Sequence, residues 1–287
     1  MRRLHHSLSI EPDGRQSRAD LAEALRRLRK AAGLSQERLA VRCAMSQSKY
    51  SRIESNRVVP SVLDVERVLK ALKIPSEAAR DLITLARQAN VEHTSWRAVA
   101  ELGLWRKQSE LKALAQLCTL QRLFNPAIPS GLLHVPEYAR AALSPVVDSS
   151  PARDVDKAVS ARLNRQTVLN DPNREFQFVL TEQAVRWKRA PRHAMADQCA
   201  HMAELSLRPN IDIAIVPQTA EVSGAALNSF VIYDDRLVIE ELFSGEVALS
   251  DPRDISHHEN LFDFFRSHAL SGERARALLL SARDQFM

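Results

Sequence analysis

Two closely spaced helix starts constrain this chain more than anything else in it. In the stretch Gly33–Asn56, GLSQERLAVRCAMSQSKYSRIESN, Ser35 stands as an N-cap. Leu34 precedes it and Leu39 follows four residues on, the pair that closes a hydrophobic staple. Ser46 repeats the arrangement with Met45 and Tyr50. Only one short helix fits between the two starts. The spacing turns Leu39, Ala40, Tyr50 and Ile53 inward, so the two helices cross closely. Asn56 ends the second helix, because asparagine tolerates the left-handed conformation that follows many helix C-termini.

The outward remainder of the second helix is Gln47, Ser48, Lys49, Ser51 and Arg52. Residues 48, 49 and 52 share one face. Glutamine binds adenine bidentately, arginine and lysine bind guanine, and serine serves base or phosphate. This is the plan of a helix-turn-helix. Taken alone, such a face is more often a solvated helix surface, and the register of the whole block weighs against that reading. Leu28, Gly33-Leu34-Ser35-Gln36-Glu37, Leu39-Ala40, Ser46, Ser51-Arg52-Ile53-Glu54 and Pro60-Ser61 closely resemble the Xre/Cro/phage-repressor helix-turn-helix family over residues 17–72. The resemblance implies an all-α, lambda-repressor-like bundle. It also implies that Gln36 contacts a phosphate and buttresses the recognition helix, while Gln47, Ser48, Lys49 and Arg52 face base edges or nearby phosphates. Ser35, Ser46 and Arg57 are further phosphate candidates. The family usually has glycine where this chain has Ala44. If that position needs a positive φ, alanine costs on the order of 1 kcal/mol; a reshaped turn is the alternative.

The flanks agree. Residues 18–32 place Leu21, Leu25 and Leu28 on one stripe of a first helix, with Arg26, Arg27, Arg29 and Lys30 elsewhere on its surface. Arg26 and Arg29 are candidates for non-specific phosphate contact. Ser61 and Asp64 open a fourth helix whose core face is Val62, Val65, Val68, Leu69 and Leu72, and Pro75-Ser76 start a fifth. Charge is uneven. Residues 1–90 hold 18 Lys/Arg against 10 Asp/Glu and the rest 22 against 25, so the net +5 divides into +8 and −3. The excess lies on the helix-turn-helix half, as polyphosphate binding requires.

At 287 residues the chain is expected to form two domains after a flexible arm over residues 1–16: a DNA-binding domain over 17–90 and a second domain over 91–287. No apolar run is long enough to span a bilayer, and Met1–Leu8 lacks the apolar core of a secretory signal. Cys43, Cys118 and Cys199 show no CxxC spacing and are expected as reduced thiols, in keeping with a cytoplasmic, nucleoid-associated protein.

Residues 76–115 read as a helical connection, with Trp96, Leu104 and Trp105 available to cover a domain join. Beyond it helices and strands mix. Cys118–Phe124 reads as a strand or the end of a helix. Helices are expected from Pro136 to Leu143, over 152–169, 192–207, 253–268 and 272–284. Strands are expected over Phe176–Leu180, Ile211–Val216 and Val247–Leu249, with a hairpin of Phe230–Tyr233, Asp234-Asp235 and Leu237–Glu240. This predicts an α+β domain with a small antiparallel or mixed sheet. Ile128-Pro129-Ser130-Gly131-Leu132-Leu133, Glu137-Tyr138-Ala139-Arg140, Arg162, Arg165-Gln166, Glu182-Gln183-Ala184-Val185-Arg186 and Pro209-Asn210-Ile211 occur in that order, followed by Val216-Pro217, Phe230 and Val238-Ile239-Glu240. Together they resemble the DUF5753 domain found behind Xre helix-turn-helix modules in actinomycete regulators. Ser130 stands where that family more often has glycine, and His134 where it has glutamine. The resemblance implies a regulator, often encoded beside a small partner protein of the DUF397 type.

Seven glycines form no GxGxxG or P-loop, and GxSxG, HExxH and paired cysteine ligands are absent from the sequence. His257-His258 point about 100° apart on a helix and make a poor metal face. His193, Cys199 and His201 fit packing or exposure better than a metal. Asp234-Asp235 suits a hairpin turn, and Glu240 and Glu241 point to opposite faces of a strand. Arg162 with Arg165, and Glu182 with Arg186, lie at helical spacing. A buried ion-pair network holding helices to the sheet is the preferred reading of these four residues with Gln166, and a site for an anionic small ligand the sharper one. The expectation is a sequence-specific transcriptional regulator without cofactor, metal or catalytic residues. It binds a near-palindromic site in double-stranded DNA as a homodimer and senses a small-molecule effector or partner protein through its second domain. The alternatives are an antitoxin-like member of a two-protein module and a helix-turn-helix fused to an unrecognised enzyme.

Overall fold

The computed structural model describes residues 14–144 and 154–287. Most of the stretch expected as a flexible arm, residues 1–13, lies outside them, as do residues 152 and 153 of the helix expected over 152–169. Gly14–Gln16 already belong to the first helix. The chain divides into two compact units. One comprises residues 1–93 with Leu249–Asp251, and the other Thr94–Ala248 with Pro252–Met287.

The first unit is built from α1 (Gly14–Ala31), α2 (Gln36–Arg42), α3 (Gln47–Glu54), α4 (Val62–Ala71) and α5 (Ser76–Ala89). Ser35 Oγ accepts from Arg38 N–H, and Ser46 Oγ from Lys49 N–H. Ser61 and Asp64 close a reciprocal capping box. The core joins Leu21, Leu25, Leu39, Tyr50, Ile53 and Val65, all buried. α1 to α4 end in the same way. The residue after each cap takes φ between 54° and 66°, and the next N–H reaches back to the carbonyl five residues earlier, as in Met45 N–H to Ala40 O at 2.9 Å and Arg57 N–H to Arg52 O at 2.8 Å. Glycine supplies the left-handed residue after α1; Ala44, Asn56 and Lys73 supply it after the others. The turn is therefore not reshaped around Ala44. Alanine takes the strained conformation itself. The return of the chain at Leu249–Asp251 completes the unit. Asp251 Oδ2 accepts from Val62 N–H at 3.0 Å, at the start of α4.

The second unit carries most of a seven-stranded sheet, in the order β1-β7-β6-β5-β2-β3-β4. The strands are β1 (Val91–Ser95), β2 (Leu120–Asn125), β3 (Glu175–Thr181), β4 (Ile211–Val216), β5 (Ser229–Tyr233), β6 (Leu237–Glu241) and β7 (Gly245–Leu249). β2, β3 and β4 are mutually parallel, whereas β5 lies antiparallel to both β2 and β6, so the sheet is mixed. The helices are α6 (Trp96–Leu102), α7 (Leu104–Leu117), α8 (Pro136–Leu143), α9 (Val155–Arg165), α10 (Glu182–Arg186), α11 (Arg192–Leu205), α12 (Pro252–Ser267) and α13 (Gly272–Phe286). The helix expected to run to residue 169 stops at Arg165 and tightens into a 3-10 turn, Gln166–Asn170.

Alternation divides the sheet residues. Leu123, Phe178, Leu180, Ile213 and Ile215 pack under α11 and α13 with Met195, Cys199, Met202 and Leu279. From the opposite face Phe124 stacks on Phe265 of α12 at 4.3 Å between ring centroids. Cys43, Cys118 and Cys199 are free and buried, and no described helix is long and apolar enough to cross a membrane.

Candidate DNA interface and a cationic cavity

In the first unit the side chains of α3 divide by face. Tyr50, Ile53 and Glu54 point inward, while Gln47, Ser48 and Arg52 are exposed. What holds α3 in place is a buried carboxylate. Glu54 accepts from Arg29 Nε at 2.6 Å and Nη2 at 3.0 Å, and from Gln36 Nε2 at 2.8 Å. Arg26 Nη2 donates to the Glu54 carbonyl at 3.1 Å. One residue thus ties α1, α2 and α3 together. Desolvation alone would raise the Glu54 carboxyl; the hydrogen bonds from Arg29 and Gln36 outweigh it and hold the group below its ordinary value.

This geometry changes the reading of three residues. Arg29, considered from sequence as a phosphate contact, is committed to Glu54 with its side chain 13% exposed. Gln36 sits half-buried at the N-terminus of α2 with its amide donated to α3. Lys49 is drawn aside: its Nζ meets Asp64 at 2.8 Å, on the capping box of α4. Ser35, Ser46 and Arg57 are exposed, and Arg52 Nε folds back toward Ser48 O at 3.3 Å.

In the second unit a cavity of about 270 Å³ lies against one face of the sheet. Its floor consists of alternate residues of three neighbouring strands: Gln121, Leu123 and Asn125 of β2, Ser229, Val231 and Tyr233 of β5, and Ile239 and Glu241 of β6. The register brings Gln121 opposite Tyr233, Leu123 opposite Val231, and Val231 opposite Ile239. α7 covers it with Leu104, Lys107, Gln108, Leu111 and Ala115, at helical spacing, and α9 contributes Arg162 and Arg165. The loop Ile128–His134 closes one side. Its shape is fixed by Gln166, which donates to Gly131 O and His134 O, and by Gln198, which bridges Leu133 O and Val135 N–H.

The sequence bears a match to each unit. Residues 20–83 match the family described as a helix-turn-helix domain. Residues 108–281 match a domain of unknown function, DUF5753. The chain belongs to the DUF5753 family. It joins a helix-turn-helix DNA-binding domain to a DUF5753 domain, as a DNA-binding regulator does. A solved structure that shows a novel mode of DNA binding, that of the archaeal chromatin protein TrmBL2, is similar at 11% identity with a TM-score of 0.33, over 78% of this chain and 68% of that one. Among curated proteins there is no match.

The DUF5753 cavity overturns half of the ion-pair network preferred from sequence. Glu182 and Arg186 do pair, at 2.5 Å. Arg162 and Arg165 pair with no carboxylate among the described residues. Arg162 Nη1 contacts His134 Nδ1 at 3.1 Å, and His134 Nε2 contacts Pro129 O at 2.9 Å. A guanidinium only donates, so Nδ1 accepts and Nε2 carries the proton. His134 is therefore neutral. Burial first, then the Arg162 charge, pushes it well below the ordinary histidine value. Burial also pushes Arg162 down, to about 9, and lowers Arg165; an arginine guanidinium keeps its proton in a protein. The Nε of each has no partner. Both guanidinium groups lie close over Gly131, where a Cβ would sit 2.8 Å from Arg165 Nη2 and 3.2 Å from Arg162 Cζ, so this glycine makes room for them.

Lys107 is paired with Glu246 across the cavity wall. Glu241 lines the cavity; desolvation raises its carboxyl, and Arg162 and Arg165 oppose the rise. Gln108 Oε1, Gln121 Nε2 and Asn125 Oδ1 are buried without partners. Sequence reading passes over these three residues, although Gln121 and Asn125 flank Leu123 at alternate positions of β2, which is a legible signal. Trp96 and Leu104, read from sequence as available to cover a domain join, line the cavity, and Trp105 carries Lys157 over its ring at 3.9 Å. No group of three metal-ligating side chains occurs among the described residues.

Proposed function

We propose that the protein is a sequence-specific transcriptional regulator that docks α3 in the major groove and uses its DUF5753 domain as a receiver of a chemical signal. The observation that carries the reading is the exposed row Gln47, Ser48 and Arg52 on a short helix fixed from behind by Glu54, Arg29 and Gln36. Rigid support suits a reading helix, because base contacts demand a defined angle of entry. Gln47 and Arg52 read base edges, Ser48 contacts base or phosphate, and Lys49 serves the rim, where Asp64 competes for it. Ser35, Ser46, Arg57 and the exposed edge of Gln36 meet the backbone of the DNA.

Two copies reading successive major grooves, about 34 Å apart, call for a near-palindromic operator. Selection of bound sequences from a random duplex pool, followed by footprinting, tests this. Gln47→Ala and Arg52→Ala are each expected to cost about 1–3 kcal/mol at one base position and to relax preference there. Arg57→Ala is expected to weaken all sequences alike and to lower the salt slope by about 1. An unchanged footprint and base preference in the Gln47→Ala/Arg52→Ala double variant would remove α3 from the reading role. A monomer on a site without symmetry would remove the dimer.

A further inference from the structure

We propose that the DUF5753 cavity binds a small organic monocarboxylate with an apolar body, its carboxylate received by Arg162 and Arg165. The proposal rests on the reading of this domain as a receiver and names what is received.

Charge is the first argument. Removing a guanidinium from water costs several kcal/mol unless an anion and hydrogen bonds replace the hydration. Lys107 obeys that rule through Glu246. Arg162 and Arg165 do not: the described carboxylate whose field reaches both from the cavity wall, Glu241, lies beyond ion-pair distance of either. Three cations, Lys107, Arg162 and Arg165, thus face two carboxylates, Glu241 and Glu246, around one cavity. One negative charge balances the wall. A doubly charged phosphate would leave it net negative, against Glu241.

Hydrogen-bonding capacity is the second argument. The unpartnered Nε groups of Arg162 and Arg165 belong to planar forks that match a carboxylate. Gln108 Oε1 and Asn125 Oδ1 offer acceptors and Gln121 Nε2 a donor, all from side chains less than a tenth exposed. They suit a hydroxyl or amide elsewhere on the ligand. Trp96, Leu111, Leu123, Val231 and Ile239 supply apolar wall between these polar groups. The volume of about 270 Å³ stands near the lower end of small-molecule sites, roughly 300–1,000 Å³, and so admits a compact acid rather than a nucleotide or a peptide.

The test titrates the full-length protein with benzoate and hexanoate, with their uncharged amides benzamide and hexanamide, and with inorganic phosphate, by calorimetry and thermal melting. Saturable carboxylate binding at least about tenfold tighter than that of the matching amide is expected, the worth of one charge-assisted contact. Phosphate is expected to bind more weakly than the carboxylates. Arg165→Met is expected to lose at least about tenfold in carboxylate affinity while melting at or above the wild-type temperature, because it deletes an uncompensated charge. Glu241→Gln, which keeps both arginines, is expected to tighten carboxylate binding. Equal affinity for acid and amide, preference for phosphate, no saturable binding of either acid, or an Arg165→Met variant that melts lower with unaltered acid affinity would each overturn the proposal. Operator affinity is measured on the same preparations with and without benzoate. Acid binding that leaves operator affinity unchanged keeps the ligand site and removes the receiver role. Intact operator binding with no acid binding removes the ligand site alone.

Discussion

Two buried arginine sites treat the same problem in opposite ways. Arg29 in the first unit faces Glu54, whose side chain is 1% exposed, across two hydrogen bonds, with Gln36 completing the carboxylate's shell. Arg162 and Arg165 in the second unit face a cavity, a neutral histidine and each other's charge. The first arrangement is closed: every strong donor has its acceptor, and the product is a rigid angle between α1, α2 and α3. The second is open, and its unmatched groups converge on space rather than on protein. Closure suits a scaffold, whereas openness suits a site awaiting a ligand.

Cutting both sites alike separates a scaffold from a ligand site. Arg29→Met leaves the Glu54 carboxylate buried with only Gln36 and is expected to cost the first unit about 3–5 kcal/mol. Denaturant unfolding followed by amide hydrogen exchange within residues 14–93 measures it, and operator binding should weaken with the fold. Arg165→Met, an identical change of side chain, is expected to cost nothing. Equal losses at the two positions would erase the distinction between scaffold and site.

Acid separates the two units by the pH at which each weakens. His134 stays neutral when folded, but the unfolded chain takes up its proton near pH 6.5. Below that pH the unfolded state binds the extra proton, so the second unit loses stability as pH falls, by up to about 1.4 kcal/mol per pH unit from this one group. Glu54 has the same sign in a lower window. Its folded value is depressed, so its contribution is complete above the ordinary carboxylate range and is lost only as pH falls through that range. All three tryptophans, Trp96, Trp105 and Trp187, lie in the second unit, so their fluorescence follows it selectively. The tryptophan-detected midpoint is expected to fall between pH 6.5 and 5 before helix signal from the first unit changes. His134→Gln is expected to flatten that dependence; an unaltered slope in His134→Gln would place the proton elsewhere.

How far each region was readable from sequence follows from the range of its determinants. The α2–α3 stretch was legible because caps and staples act within four residues: Ser35, Ser46 and Ser61 cap as their spacing predicts. Strands such as Ile211–Val216 were legible through alternation. β1, by contrast, was absorbed into a helical connection. VEHTS has no strong alternation, and it becomes a strand only by taking a place beside β7 in the sheet, about 150 residues further on. The return of Leu249–Asp251 to the first unit was illegible for the same reason, since Asp251 reaches Val62 across 189 positions. At the cavity the sequence exposed the helical pairing of Arg162 with Arg165 but not the deciding fact. Whether a carboxylate stands within 4 Å of a guanidinium is set by where the fold places α9 relative to the strands that line the cavity, which no local pattern encodes.

The smallest test probes the closed region for a residual defect. The Glu54 clamp is matched, but Ala44 holds φ at 54°, where a Cβ crowds the following carbonyl. The left-handed state costs a non-glycine residue roughly 1–2 kcal/mol, while glycine adds roughly 0.4–1 kcal/mol of unfolded-chain entropy. Ala44→Gly is therefore expected to stabilise the first unit by about 0.5–1 kcal/mol, measured by denaturant midpoint at constant m. Ala44 is exposed and Met45 N–H already reaches Ala40 O, so the substitution removes no buried contact and leaves the turn's hydrogen bond in place. Operator affinity should stay unchanged, because the angle between α2 and α3 is set by Glu54 and not by the turn. If Ala44→Gly loosens DNA binding while raising stability, the turn shares in fixing that angle, and the polar clamp alone is not what aims α3.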